Sequence, residues 1–111
     1  MEFEFMTADT DLPPSMPLPQ ATLWLPVSST AKIMYACMLD AALANGLEDT
    51  NGILFIRFSI MELSAALSRS HMTVKRSLNE LEEAGLIMRV RQGVGEANRI
   101  YVLIPRKENP L

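Results

Sequence analysis

The chain has 111 residues, 49% of them hydrophobic, enough for one compact core and too few for two independent ones. Its formal charge of −3 argues, as an average, against nucleic acid, whose binders usually carry a basic surface. The distribution of that charge argues the other way. Residues 1–66 hold two bases (Lys32, Arg57) against eight acids, a net of −6, whereas residues 67–111 hold eight bases against five acids, a net of +3. A chain this lopsided can be acidic overall and still present a basic face. Cys37 is the single cysteine, so no internal disulfide forms, which suits a cytoplasmic protein. Met1-Glu2-Phe3-Glu4 has the wrong charge for a signal peptide, and no apolar run is long enough for a membrane span.

Residues 1–27 read as an irregular arm, since five of the seven prolines (Pro13, Pro14, Pro17, Pro19, Pro26) fall there and deny the backbone N–H that helices and ladders need. Leu23, Trp24 and Leu25 give its end a large apolar load, so that end is expected to pack on the domain or on a second copy, leaving the first dozen residues as a mobile tail. Ser28 or Ser29 caps a helix to about Ala44, with Ile33, Ala36, Cys37, Leu39, Leu43 and Ala44 on its inner face and Asn45-Gly46 as its stop. Cys37 is expected to be a buried small hydrophobe.

Asn51-Gly52 turns the chain into a short strand over residues 53–58, rich in β-branched and aromatic residues. Ser59-Ile60-Met61-Glu62 matches a capping box and starts a short second helix with Leu63, Ala66 and Leu67 inward. Ser70 caps a third helix from His71 to Ala84, with Val74, Leu78 and Leu81 on one stripe and Gly85 as its stop. Two strands, 86–92 and 99–104, flank the loop Gly93-Val94-Gly95-Glu96-Ala97-Asn98, in which Gly93 and Gly95 permit positive φ and a slim tip. Residues 105–111 read as a tail or linker stump. Residues 28–104 therefore predict an α+β winged helix-turn-helix: three helices, a C-terminal hairpin wing, and a lone strand that closes a small antiparallel sheet.

The segment from Leu67 to Val74 followed by Leu78 to Ile87 is similar to many bacterial winged-helix proteins. Arg91-Gln92-Gly93-Val94-Gly95-Glu96-Ala97-Asn98-Arg99-Ile100-Tyr101-Val102 resembles the wing of the N-terminal domain of plasmid replication initiator protein A. Residues 31–40 resemble that family's first helix, and the likeness runs over roughly residues 25–104. It implies a domain that binds repeated duplex DNA sites at a plasmid origin.

The third helix carries the main functional signal. Opposite its apolar stripe lie Met72, Lys75, Arg76, Asn79 and Glu83. A helix of this kind fits the major groove and reads bases with its N-terminal part. Arg76 suits guanine and Asn79 adenine, while His71 and Lys75 suit phosphate. The competing view is a solvated polar face. Glu80, Glu82 and Glu83 would be repelled by phosphate, so the C-terminal half should point away from the duplex. In the wing, Arg89 and Arg91 alternate with Met88 and Val90, predicting an outward basic face and an inward apolar one. Arg91, Gln92, Asn98 and Arg99 cluster at the tip, where they can follow a phosphate backbone or enter a minor groove.

Ser70 is more safely a cap than a phosphate ligand, His71 a surface residue rather than a metal ligand, and Trp24 a packing anchor. No Cys/His cluster has metal-ligand spacing. Neither GxxxxGK[ST] nor GxGxxG is present, and the single Cys and His lie on different helices, so an enzyme, a cofactor or a small-molecule substrate is not expected. The partner expected is duplex DNA, engaged by two copies because one short helix covers few base pairs. A transcriptional regulator of a mobile element and a winged helix used only for protein contacts are the competing functions.

Overall fold

The computed structural model describes residues 2–91, 93 and 98–106. A 3-10 turn (Gln20–Trp24) precedes α1 (Ser29–Asn45), β1 (Leu47–Glu48), β2 (Leu54–Phe55), α2 (Ile60–Leu67), α3 (His71–Glu83), β3 (Ile87–Val90) and β4 (Arg99–Val102). This is a winged helix: three helices with α2 and α3 joined by a short turn, followed by an antiparallel hairpin.

Each helix starts where a serine can satisfy an orphan N–H. The Ser28 hydroxyl accepts from Ala31 N at 3.2 Å, and Ser70 accepts from Thr73 N at 3.2 Å. At α2 the capping box closes both ways: Ser59 Oγ accepts from Glu62 N at 3.0 Å, and Glu62 Oε1 accepts from Ser59 N at 3.4 Å. The helix ends differ. Gly85 stops α3 with φ +79°, as a left-handed terminator does. Gly46 does not, since its φ is −60°; there a Cβ would lie 2.4 Å from Ala42 O, so glycine answers a close approach.

The core joins Met34, Tyr35 and Met38 of α1 to Leu63 of α2, Val74, Leu78 and Leu81 of α3, and Leu86, Ile87 and Ile100 of the hairpin. The stripe expected for α3 is the one buried. The α1 face differs from expectation: Ile33 is 50% and Leu43 74% exposed, Ala44 is exposed, and Cys37 is only half-buried. The helix is apolar nearly all round from Ile33 to Ala44, so periodicity selects no face; Tyr35 decides it, with its hydroxyl donating to Leu103 O at 2.6 Å. On α2, Leu63 is buried and Leu67 half-buried as expected, but Ala66 is exposed.

The strand after α1 joins the wing through a single bridge, Ile56 to Ile100, with paired bonds of 3.0 and 2.8 Å. Its β2 residues pair instead with the unexpected β1, Leu47 opposite Phe55 and Glu48 opposite Leu54. Asp49 builds that turn, its Oδ1 accepting from Asn51 N at 2.8 Å and Ile53 N at 3.0 Å, with Gly52 at φ +77°.

The arm docks, but not through its tryptophan. Thr22 is fully buried, Leu25 and Val27 pack on the core, and Lys32 Nζ donates to Leu23 O at 2.8 Å. Leu23 is 55% and Trp24 77% exposed, so within one chain Trp24 is no packing anchor. Trp24→Ala should therefore change stability by less than ~0.5 kcal/mol. Tyr35→Phe, which strands a partly buried carbonyl, should cost about 1 kcal/mol. Urea unfolding of both variants separates the two: only Tyr35→Phe should lower the midpoint at unchanged slope.

Candidate nucleic-acid interface

The helix-turn-helix places α3 with its seam inward and its remaining side chains out. His71, Met72, Lys75, Arg76, Asn79 and Glu83 are all exposed, as the helical spacing predicts. Lys75 and Arg76 enter no ion pair among the described residues. Ser70 is occupied as a cap: its hydroxyl also donates to Thr73 Oγ1 at 3.0 Å.

The C-terminal half of α3 is tied down by its acids. Glu80 accepts from Ser28 N at 3.0 Å and from Ser28 Oγ at 2.7 Å, which locks the start of α1 to α3. Glu82 accepts from Arg89 on β3 three times: from N at 3.2 Å, Nε at 3.2 Å and Nη2 at 2.7 Å. These Arg89 bonds hold the Glu82 carboxyl below the usual glutamate range. The same Nη2 donates to Asn79 Oδ1 at 2.9 Å. One guanidinium thus connects the wing to the middle of the exposed helix face.

This inverts the expected faces of the first wing strand. Ile87 is buried and Arg89 follows it inward, half-buried, whereas Met88 and Val90 are 48% and 36% exposed. Pairing sets the parity. Arg89 opposes Ile100 and Ile87 opposes Val102 on the core side, while Met88 opposes Tyr101 and Val90 opposes Arg99 on the other.

Of the predicted tip residues, Arg91 follows β3 and Asn98 precedes β4, beside the Val90–Arg99 pair that ends the ladder. Arg91 is exposed just after β3. Arg99 lies on the outer sheet face with its Cζ 4.4 Å from the Phe55 ring centroid. Arg57, absent from the sequence-based candidates, approaches the same ring at 5.7 Å. Tyr101 tilts against Phe55 at 5.9 Å and donates its hydroxyl to Asp49 Oδ2 at 2.9 Å. Asp49 is held below the usual aspartate range by the Ile53 N–H, then by Asn51 N–H, Tyr101 and the nearby Arg99 charge. Asn98 is half-buried; Gln92 and Gly95 lie outside the described residues.

No group of His, Cys, Asp or Glu suited to a metal occurs among the described residues, and no helix there is long and apolar enough to cross a membrane.

Fold and site together define a winged-helix domain with an exposed, basic-leading second helix in its helix-turn-helix. The chain belongs to the family of the replication initiator protein A N-terminus, whose model matches residues 16–108. That match reaches into the proline-rich arm, beyond the segments whose residues carry the likeness. Three solved structures share the fold. One, of a Rep–DNA complex, has 18% identity and a TM-score of 0.73, covering 96% of this chain and 88% of its own. Another, of an MDR initiator, has 23% identity and a TM-score of 0.71, covering 95% and 89%. The third, the N-terminal domain of a DNA-binding protein, has 18% identity and a TM-score of 0.70, covering 96% and 88%. No curated protein sequence matches the chain.

The depressed Glu82 pKa makes a signed prediction. A carboxylate whose folded pKa lies below its unfolded value, ~4.3 for glutamate, stabilises above that value and loses the contribution as pH falls through the folded pKa. The stability difference between the parent and Glu82→Gln should be constant near neutrality and shrink on acidification below about pH 5. Chemical denaturation across pH 3–7 measures it.

Proposed function

We propose that this domain binds duplex DNA sequence-specifically and serves replication initiation at repeated origin sites. The observation that carries this reading is the exposed face of α3: Met72, Lys75, Arg76 and Asn79 stand out together, while Glu80 and Glu82 are bound within the fold. Membership of the initiator family and the solved complex of a similar fold with DNA support it. In this reading α3 enters the major groove. Arg76, in its first two turns, offers a planar fork to guanine O6 and N7. Lys75 and His71 meet phosphate, and Arg91 carries the wing along the backbone. Two copies on repeated sites lengthen a contact that one short helix leaves small. The chemistry needs no catalytic residue and no cofactor.

Selection of bound sequences from random duplex DNA tests the proposal directly. Given the selected site, Arg76→Ala should cost about 1–3 kcal/mol there and relax the preference at one base pair. Arg91→Ala and Lys75→Ala should each weaken cognate and scrambled duplexes alike and lower the salt slope by roughly one. Titrations at two salt concentrations distinguish the outcomes. If Arg76→Ala leaves the cognate-to-scrambled ratio intact while Arg91→Ala removes it, the wing is the reader. If duplex DNA is not bound in a salt-dependent way, a role in protein contacts replaces this one.

A further inference from the structure

We propose that Arg89 is a positioning residue that fixes the hydrogen-bonding polarity of Asn79, so that α3 reads a base at that point through amide donors alone and prefers guanine to adenine. The inference rests on α3 being the base-reading helix and goes beyond it by assigning the kind of base edge one residue selects.

The geometry is a short chain of bonds. Arg89 Nη2 carries two hydrogens; one goes to Glu82 Oε1 at 2.7 Å and the other to Asn79 Oδ1 at 2.9 Å. A side-chain amide is ordinarily ambiguous, because its oxygen and nitrogen are nearly alike in shape. Here the partner removes the ambiguity. A guanidinium has only donors, so the atom facing it has to be the oxygen. Glu82 holds the guanidinium through Nε and Nη2 while also accepting from the Arg89 backbone, so the fork cannot easily rotate away.

Asn79 is exposed; Arg89 takes one of the two lone pairs of Oδ1, while the Nδ2 hydrogens have no partner among the described residues. The usual pairing of asparagine with adenine uses both amide atoms, the oxygen accepting from N6 and the nitrogen donating to N7. Adenine would have to bring its N6 amino group, another donor, to the remaining lone pair of an oxygen already polarised toward a cation, whereas the Nδ2 hydrogens are uncommitted. Guanine instead presents O6 and N7, two adjacent acceptors, to two donors. The sequence pairs Asn79 with adenine; the bond from the wing reverses that assignment.

The test is base preference in the full chain. Sequences selected from random duplex by the parent and by Asn79→Ala locate the base pair that Asn79 reads. Duplexes differing only there are then titrated with the parent, Arg89→Met, Glu82→Gln and Asn79→Asp. The parent should favour guanine over adenine by about tenfold. Arg89→Met, which frees Oδ1, should reverse or erase that ratio. Glu82→Gln, whose amide oxygen still accepts from Arg89, should keep it even if stability falls. Asn79→Asp, acceptor only and exposed, should lose guanine and gain cytosine, whose N4 donates. A ratio within one variant is insensitive to the fraction folded, which merely scales both titrations. The inference is overturned if Arg89→Met keeps the parent ratio, if Asn79→Asp still favours guanine, or if Asn79→Ala alters no base preference. If the parent shows no sequence preference at all, the proposed function fails as well.

Discussion

Burial of Val74, Leu78 and Leu81 against Met34, Tyr35 and Met38 is the contact on which the rest of the domain depends. It fixes the rotation of α3 about its own axis, and every polar residue on that helix then has a determined direction. Rotation alone would leave the helix free to slide or tilt. Two further links oppose that: Glu80 grips the start of α1 through Ser28, and Glu82 grips β3 through Arg89. Both links fall in the C-terminal half of α3. The N-terminal half, with Met72, Lys75 and Arg76, is left as an exposed, positively charged end.

This arrangement reconciles an acidic chain with an exposed basic face on α3. Net charge treats all carboxylates as equal, but several here have internal partners. Glu62 closes the α2 capping box, Asp49 ties the β1–β2 turn to Tyr101, and Glu80 and Glu82 join elements. Each accepts hydrogen bonds that give its carboxylate a partner within the fold. The bases are spread differently. Lys75, Arg76 and Arg91 are exposed on α3 and after β3, and Arg57 and Arg99 crowd one phenylalanine ring on the outer sheet face.

The parts of this fold legible in the sequence are those governed by local chemistry. Ser28, Ser59 and Ser70 as caps, Gly85 as a stop and the α3 stripe depend on residues within a turn or two of each other. What stays illegible depends on partners far along the chain. In α1, nearly every residue is apolar, so the choice of Met34, Tyr35 and Met38 rests on Leu103, distant in sequence by most of the domain. Trp24 carries the strongest apolar signal in the arm yet stays out, because the 3-10 turn aims Thr22 inward instead. Arg57 gives no signal as one of two bases in an acidic half. Only the placement of Phe55 beside β4 pairs it with Arg99.

The reversed faces of β3 show how such a distant partner overrides a sound local rule. Alternation of Arg with Met and Val suggests charges out and apolar groups in, and for an isolated ribbon that would hold. Strand parity leaves no freedom once one residue is fixed, however, and Ile87 is fixed by the core, alongside Ile100. Arg89 must then face α3. An arginine can accept that position because its apolar stem packs while its head finds acceptors, and Glu82 and Asn79 supply them one turn apart. Met88 and Val90 are left outside as the consequence. The same parity that spoils the surface pattern of the wing is therefore what couples the wing to the exposed face of α3, through the Arg89 bonds to Glu82 and Asn79.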